Sequence, residues 1–447
     1  MTARWTWLTA LVVLSWPDGG QAADVGDIAL VEDKTGDING TIALPNVYLA
    51  KAACAFYAAH KDSFDAIFVF TTLPQNFLTN VQQGWPVKQQ AKGIGRDGWL
   101  WDQTATFCST GGKLRQAVKM GDLAILPDNP DALYTGIPFY PLSGIQLVAH
   151  EFGHHWMASI RFDKGDGKKH CLLRGYEPSG RGNTGECDGY QETDYNQHWS
   201  YYFNSGSLMY GSMITDLGGG KFKLYYDQPK YSPLDQYLMG LRAKADVPPQ
   251  FLVDVGSSMT GSASIPLSPG KTDTVSGTRL DFTIDDVIRV EGPRQPASEP
   301  CHWTAAFIVV HAAGKPPSAT EIAKLDQYRT RWESFYLWAT EGRGSFDTTL
   351  DNRGKPACGA PVAPDASISR DAAPAVDLGA RRESGARLDH ATLPADLGRA
   401  DATAASAPAG CSCDLACGRS PGGATLTFVA LVALVALVAV GARRRRR

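Results

Sequence analysis

Two apolar rhythms alternate along this chain. Over residues 47–60 the apolar positions recur with helical spacing, which predicts a helix there. Asp65-Ala66-Ile67-Phe68-Val69-Phe70-Thr71 follows as a short, unbroken apolar run, the pattern of a buried strand. Asp122-Leu123-Ala124-Ile125-Leu126-Pro127 reads as a further strand. Ser143 suits the N-cap of a helix over residues 144–160, with Ile145, Val148, Phe152 and Trp156 on one stripe and His150 and His154 on another. Glycine and charged residues dominate residues 161–196, a long insertion. Ser232 as N-cap and Pro233 as first helical residue start another helix. Strands are expected over 245–300, with 280–284 the clearest, and Ala305 to Ala312 is apolar. A terminal helix is expected over 318–339, with Thr320, Glu321 and Ile322 in its first turns. The mixture predicts an α/β (α+β) fold.

The ends differ from the middle. Residues 1–22 read as a signal peptide: Arg4, an apolar core over residues 8–14, then Gly20-Gln21-Ala22 as a small-residue cleavage site. That core is well short of the roughly 20 residues needed to span a bilayer. Aromatic residues fill the stretch 23–358, which is long enough for one large domain or two subdomains. Residues 359–409, rich in Ala, Pro, Asp, Arg and Ser, are expected to form a disordered linker. Residues 410–447 hold Cys411, Cys413 and Cys417, an apolar run over 424–442 long enough to cross a membrane, and five terminal arginines that would hold its end in the cytoplasm.

Three of the nine cysteines lie in that tail, which leaves Cys54, Cys108, Cys171, Cys187, Cys301 and Cys358. An even number in an exported domain points to disulfides, and sequential pairing is the expectation, with Cys171–Cys187 closing a short loop. Net charge is −3, with no basic stripe outside the terminal arginines, so a nucleic-acid partner is not expected.

His150-Glu151-Phe152-Gly153-His154 is HExxH. On a helix, residues four apart share a face, so one Zn²⁺ can take both imidazoles with Glu151 beside its open position. Zinc lowers the pKa of water to about 7, and Glu151 is the expected general base against a peptide carbonyl. His155 points about 100° away around the helix and should not join them. His170, in the insertion, is expected to be exposed.

A catalytic zinc usually has three protein ligands. His198 is the expected third, and Asp235 is the alternative, in which case His198 would donate to the oxyanion. Tyr201, Tyr202 and Tyr210 are candidate phenol donors to the tetrahedral intermediate. Asp163, Asp166, Asp188 and Asp194 are a candidate oxygen set for Ca²⁺, without EF-hand spacing.

The order HExxH, insertion, His198, then Ser207-Leu208-Met209-Tyr210 resembles a metzincin, over roughly residues 143–241. The compact metzincin continuation fails, because Met157 and Ile160 stand where its glycine and third histidine would be. Leishmanolysin-type metzincins carry a large insertion at this place. Ser207–Tyr210 is similar to the Met-turn, which implies that Met209 is a structural floor and not a ligand. The helix starting Ser-Pro-Leu-Asp-Gln-Tyr looks like the one after that turn. The chain is also similar to proteins with HEFGHxW, HWS and SPLDxYLMGL that carry such tails. The tail itself resembles the MYXO-CTERM sorting tag, which implies passage to the cell surface with processing near its cysteines.

These resemblances imply a metzincin-like zincin domain with a twisted sheet over the HExxH helix. The implied activity is that of a secreted or surface-anchored zinc metallopeptidase acting on protein or peptide, with the substrate backbone along the sheet edge. Its other partners would be the membrane, through the C-terminal helix before processing, and the sorting machinery. Two alternatives stand beside it: a non-catalytic adhesion or binding module with the same fold, and a zinc amidase acting on cell-wall peptide.

Overall fold

The structure is a computed structural model that describes residues 23–75, 80, 82–96, 100–136, 141–174, 197–256 and 267–352. The expected signal peptide, linker, Cys motif and apolar tail, with Cys187, Cys358, Asp188 and Asp194, lie outside the described residues. Among the described residues no helix is long and apolar enough to cross a membrane.

The fold is mixed, of α+β type. The apolar runs meet in a seven-stranded sheet made of β1 (Ala23–Val25), β2 (Ile28–Asp33), β3 (Ala66–Thr71), β4 (Gln83–Pro86), β7 (Gln116–Asp122), β16 (His302–Ala312) and β17 (Ser345–Asp347). Its order is β1-β2-β16-β3-β7-β4, with β17 beside the start of β16. Strands β2, β16, β3 and β7 are parallel, and antiparallel β1 and β4 close the two edges. Parallel strands covered on both faces carry unbroken apolar runs, which is why β3 and β16 read that way.

Alternation sorts their side chains into two cores. Ile67, Val69, Ala306 and Ile308 face one core, with Tyr48, Leu49, Ala52, Ala53 and Phe56 of α1 (Pro45–Tyr57). Phe68, Phe70, Phe307 and Val309 face the other, with α2 (Gly144–Gly153) and α5 (Ala319–Ala339). The Cys54–Cys108 disulfide ties α1 down on the first face. Cys171 and Cys301 are disulfide-bonded as well.

The second core extends under a six-stranded sheet of β10 (Trp199–Asn204), β11 (Tyr210–Gly218), β12 (Lys221–Tyr225), β13 (Gln250–Asp254), β14 (Thr272–Ser276) and β15 (Thr278–Phe282). Its order is β14-β12-β11-β10-β13-β15. Among the described residues the remaining strands form two short antiparallel pairs, β5 (Lys88–Gln89) with β6 (Trp101–Asp102) and β8 (Arg161–Phe162) with β9 (His170–Cys171). Among the described residues the remaining α-helices are α3 (Pro233–Leu238) and α4 (Ile284–Glu291).

Four expectations change. The strand near residue 122 is β7, which ends there. Asp122 caps a single 3-10 turn by accepting from Ala124 N–H, so Leu123–Ile125 are not extended. The strand expected to reach Ile284 stops at Phe282, because Thr283 and Asp286 form a capping box that starts α4. Helix α2 ends at Gly153, seven residues early, for reasons given below. His170 is buried: its ring stacks on Phe162 at 5.0 Å because the β8–β9 hairpin folds inward.

Candidate metal centre

Helix α2 begins at a full capping box: Ser143 Oγ accepts from Gln146 N–H, and Gln146 Oε1 accepts from Ser143 N–H. Phe152 then buries itself among Phe68, Trp303, Trp332, Tyr336 and Phe346, which sets the rotation of the helix. That rotation turns His150 toward the loops of the six-stranded sheet. The helix stops where Gly153 meets Met209: a Cβ at Gly153 would stand 2.5 Å from Met209 Sδ. Met209 is fully buried there, beneath the helix end. Buried Arg96 then takes the carbonyls of His154 at 2.7 Å and Met157 at 2.8 Å, so the helix end is satisfied without a further turn. The same guanidinium binds the side-chain oxygen of Gln197, the neighbour of His198.

His150, His154 and His198 converge. One nitrogen from each lies within 4.8 Å of the others, and all three residues are buried. Ring centroids stand 4.9–5.0 Å apart; His150 and His198 are stacked, with His154 edge-on to both. His150 Nδ1–H donates to the Leu208 carbonyl at 2.7 Å, so its Nε2 presents a lone pair. That Nε2 lies 3.0 Å from His198 Nε2. Among the described residues His198 Nδ1 is buried without a hydrogen-bond partner.

Burial holds all three imidazoles below the ordinary range. His150 is lowered to about 4 by burial, against the Leu208 hydrogen bond and helped by Arg174. His154 and His198 are lowered well below 6.5, first by burial and then by the surrounding positive groups. Neutral imidazole is the form that ligates a metal. Two nitrogens on one tetrahedral zinc, each about 2.0–2.1 Å from it, stand about 3.3 Å apart, close to the His150–His198 separation. Three neutral imidazoles gathered in this way could hold a metal ion such as zinc. Among the described residues no other group of His, Cys, Asp or Glu gathers in this way.

Glu151 is buried on the same helical turn, and its Oε2 accepts from Gly84 N–H of β4 at 2.9 Å. The backbones touch at that point: a Cβ on Gly84 would stand 1.9 Å from the Glu151 carbonyl oxygen. Only glycine permits the approach. The Pro86 carbonyl on the same edge strand accepts from the Trp101 indole at 2.8 Å.

Asp235, the alternative third ligand, is not in the cluster. Its carboxylate accepts from the Trp199 indole, the Ser207 hydroxyl and Ser232 N–H. His155 turns away as expected and pairs with Gln116 at 3.1 Å. Of the three candidate phenols, Tyr210 packs its ring on His198 at 4.7 Å and His150 at 4.8 Å, whereas Tyr201 and Tyr202 pack on each other. Tyr210 reaches there from a backbone φ of 71°, a conformation that costs a bulky residue about 1–2 kcal/mol. Asp163 and Asp166 turn carboxylate oxygens onto N–H groups of their own loop, Gly165, Gly167 and Lys168.

Sequence reasoning missed Arg96, Gly84 and the Leu208 carbonyl, none of which carries a local signal. For Asp235 a signal existed: Ser232-Pro233-Leu234-Asp235 has capping-box spacing. Comparison with protein-family models, with curated proteins and with solved structures finds no match.

Proposed function

We propose that this chain is an exported zinc endopeptidase with a metzincin-like catalytic domain. His150, His154 and His198 hold the ion, and Glu151 is the general base. The observation that carries the reading is the convergence of three buried, neutral imidazoles beside a glutamate on the same helical turn. Bound there, zinc supplies a Lewis acid that makes water nucleophilic near neutral pH.

The protein's own residues do the rest. Leu208 holds the proton of His150 on Nδ1 and keeps Nε2 directed inward. Gly84 N–H orients the Glu151 carboxylate, which takes the proton of the attacking water and returns it to the leaving amine. Tyr210 packs its ring on His150 and His198, and Met209 lies beneath the end of the helix that carries His150. The Cys54–Cys108 disulfide suits an oxidising compartment, in keeping with export to the cell surface or medium. Peptide or protein is the expected substrate, and the tail would hold the membrane until processing.

The test uses the purified full chain, wild type against Glu151→Gln and His198→Ala, read by zinc content and casein hydrolysis. Glu151→Gln should keep stoichiometric zinc and lose about 10²–10⁴-fold in rate. His198→Ala should lose both metal and activity. Zinc-loaded wild type that hydrolyses neither protein nor cell-wall peptide would sink the peptidase reading and leave a binding module. Cleavage of cell-wall peptide alone would point to the amidase.

A further inference from the structure

We infer that Asp235 is a positioning residue for the metal centre, fixing in one carboxylate both the strand that presents His198 and the turn that orients His150. The inference rests on the zinc reading above and deepens it.

Asp235 is fully buried on the first turn of α3. Its Oδ2 accepts from Ser232 N–H at 2.7 Å, which completes the helix cap. A cap alone needs nothing more, and a capping carboxylate is normally left at the surface. Burying one costs several kcal/mol unless its oxygens are matched by donors. Here the further donors come from outside the helix. Trp199 Nε1–H reaches Oδ1 at 2.7 Å, and Ser207 Oγ–H reaches Oδ2 at 2.6 Å.

Both donors lead directly to the histidines. Trp199 follows His198 in the chain, and its backbone N–H donates to the Met209 carbonyl at 2.9 Å. Ser207 opens the turn, and its Oγ accepts from Met209 N–H at 2.9 Å while donating to Asp235. Between them lies Leu208, whose carbonyl takes the His150 Nδ1 proton. Hydrogen bonds to a carboxylate are about twice as strong as neutral ones, so this anchor is stiffer than an amide or hydroxyl would be. Groups that orient metal ligands from behind are worth about 10–100-fold in metal affinity.

The test measures zinc affinity of the full chain by competition with a chromogenic chelator, and the visible absorption of the Co²⁺-loaded protein. Asp235→Asn turns an amide NH₂ toward donors that need an acceptor. Ser207→Ala cuts the link to the turn and leaves the α3 cap intact. Both should weaken zinc binding about 10–100-fold and alter the cobalt spectrum. A purely structural role would lower the unfolding midpoint and leave both readouts of the folded protein unmoved. Should Asp235→Asn fail to fold, Ser207→Ala decides. A cooperatively folded Ser207→Ala protein with wild-type zinc affinity and cobalt spectrum overturns the inference alone. Wild-type protein that takes up neither metal overturns the zinc reading as well.

Discussion

The histidines of the cluster are neutral because they are buried, and this couples the site to pH. His150 is lowered to about 4 in the folded chain against 6.5 when unfolded, so the unfolded chain takes up the proton first as pH falls. Its contribution is complete above 6.5, is lost between 6.5 and about 4, and changes no further below that. The gap corresponds to on the order of 3 kcal/mol. His154 and His198 shift the same way, with Arg96 and Arg174 adding to burial. Asp235 runs the other way: burial raises it to about 6, so protonation below that pH relieves the folded state. Three histidines outweigh one carboxylate. Urea midpoints of metal-free protein should therefore fall from pH 7.5 to 5.5, and a flat profile would contradict the burial argument. His150 and His154 were legible because their spacing is local. The helix-cap role of Asp235 was legible in the Ser232–Asp235 spacing, but its bonds to Trp199 and Ser207 were not, since both arrive from distant parts of the chain.

At the scale of elements, the site depends on how closely α2 approaches β4. The contact admits no side chain at Gly84, where a Cβ would overlap the Glu151 carbonyl. Gly84→Ala should push the strand and helix apart at a cost of about 1–3 kcal/mol. On the proposed peptidase reading the same glycine orients the general base, so casein hydrolysis should fall about 10²-fold. On the same reading zinc content should stay stoichiometric, since Gly84 hydrogen-bonds Glu151 and the partners of His150 lie elsewhere. An unchanged rate would show that β4 does not position the base. The helix starts at Ser143, Ser232 and Ser318 were legible because a cap is written within four residues. The end of α2 was not legible. Met209 and Arg96 decide it, and both arrive from distant parts of the chain.

At the scale of the molecule, the two faces of the seven-stranded sheet do different things. One face packs α1, clamped by Cys54–Cys108, and the other carries α2 and the histidines. The disulfide joins residues 54 apart in sequence, a loop whose closure is worth about 4 kcal/mol. Replacing both cysteines with serine should lower the unfolding free energy by about that much while zinc content holds. Loss of zinc in the double variant would show that the two faces are coupled. The sequence by itself determined the apolar runs, the helix starts, the HExxH pair and the mixed fold class, because each is set by neighbours a few residues away. Only the tertiary structure decided which strands lie side by side, that His198 and not Asp235 joins the pair, and that Gly84, Arg96 and Leu208 hold the site. Those choices depend on contacts between segments far apart in the chain, where spacing along the sequence carries no distance.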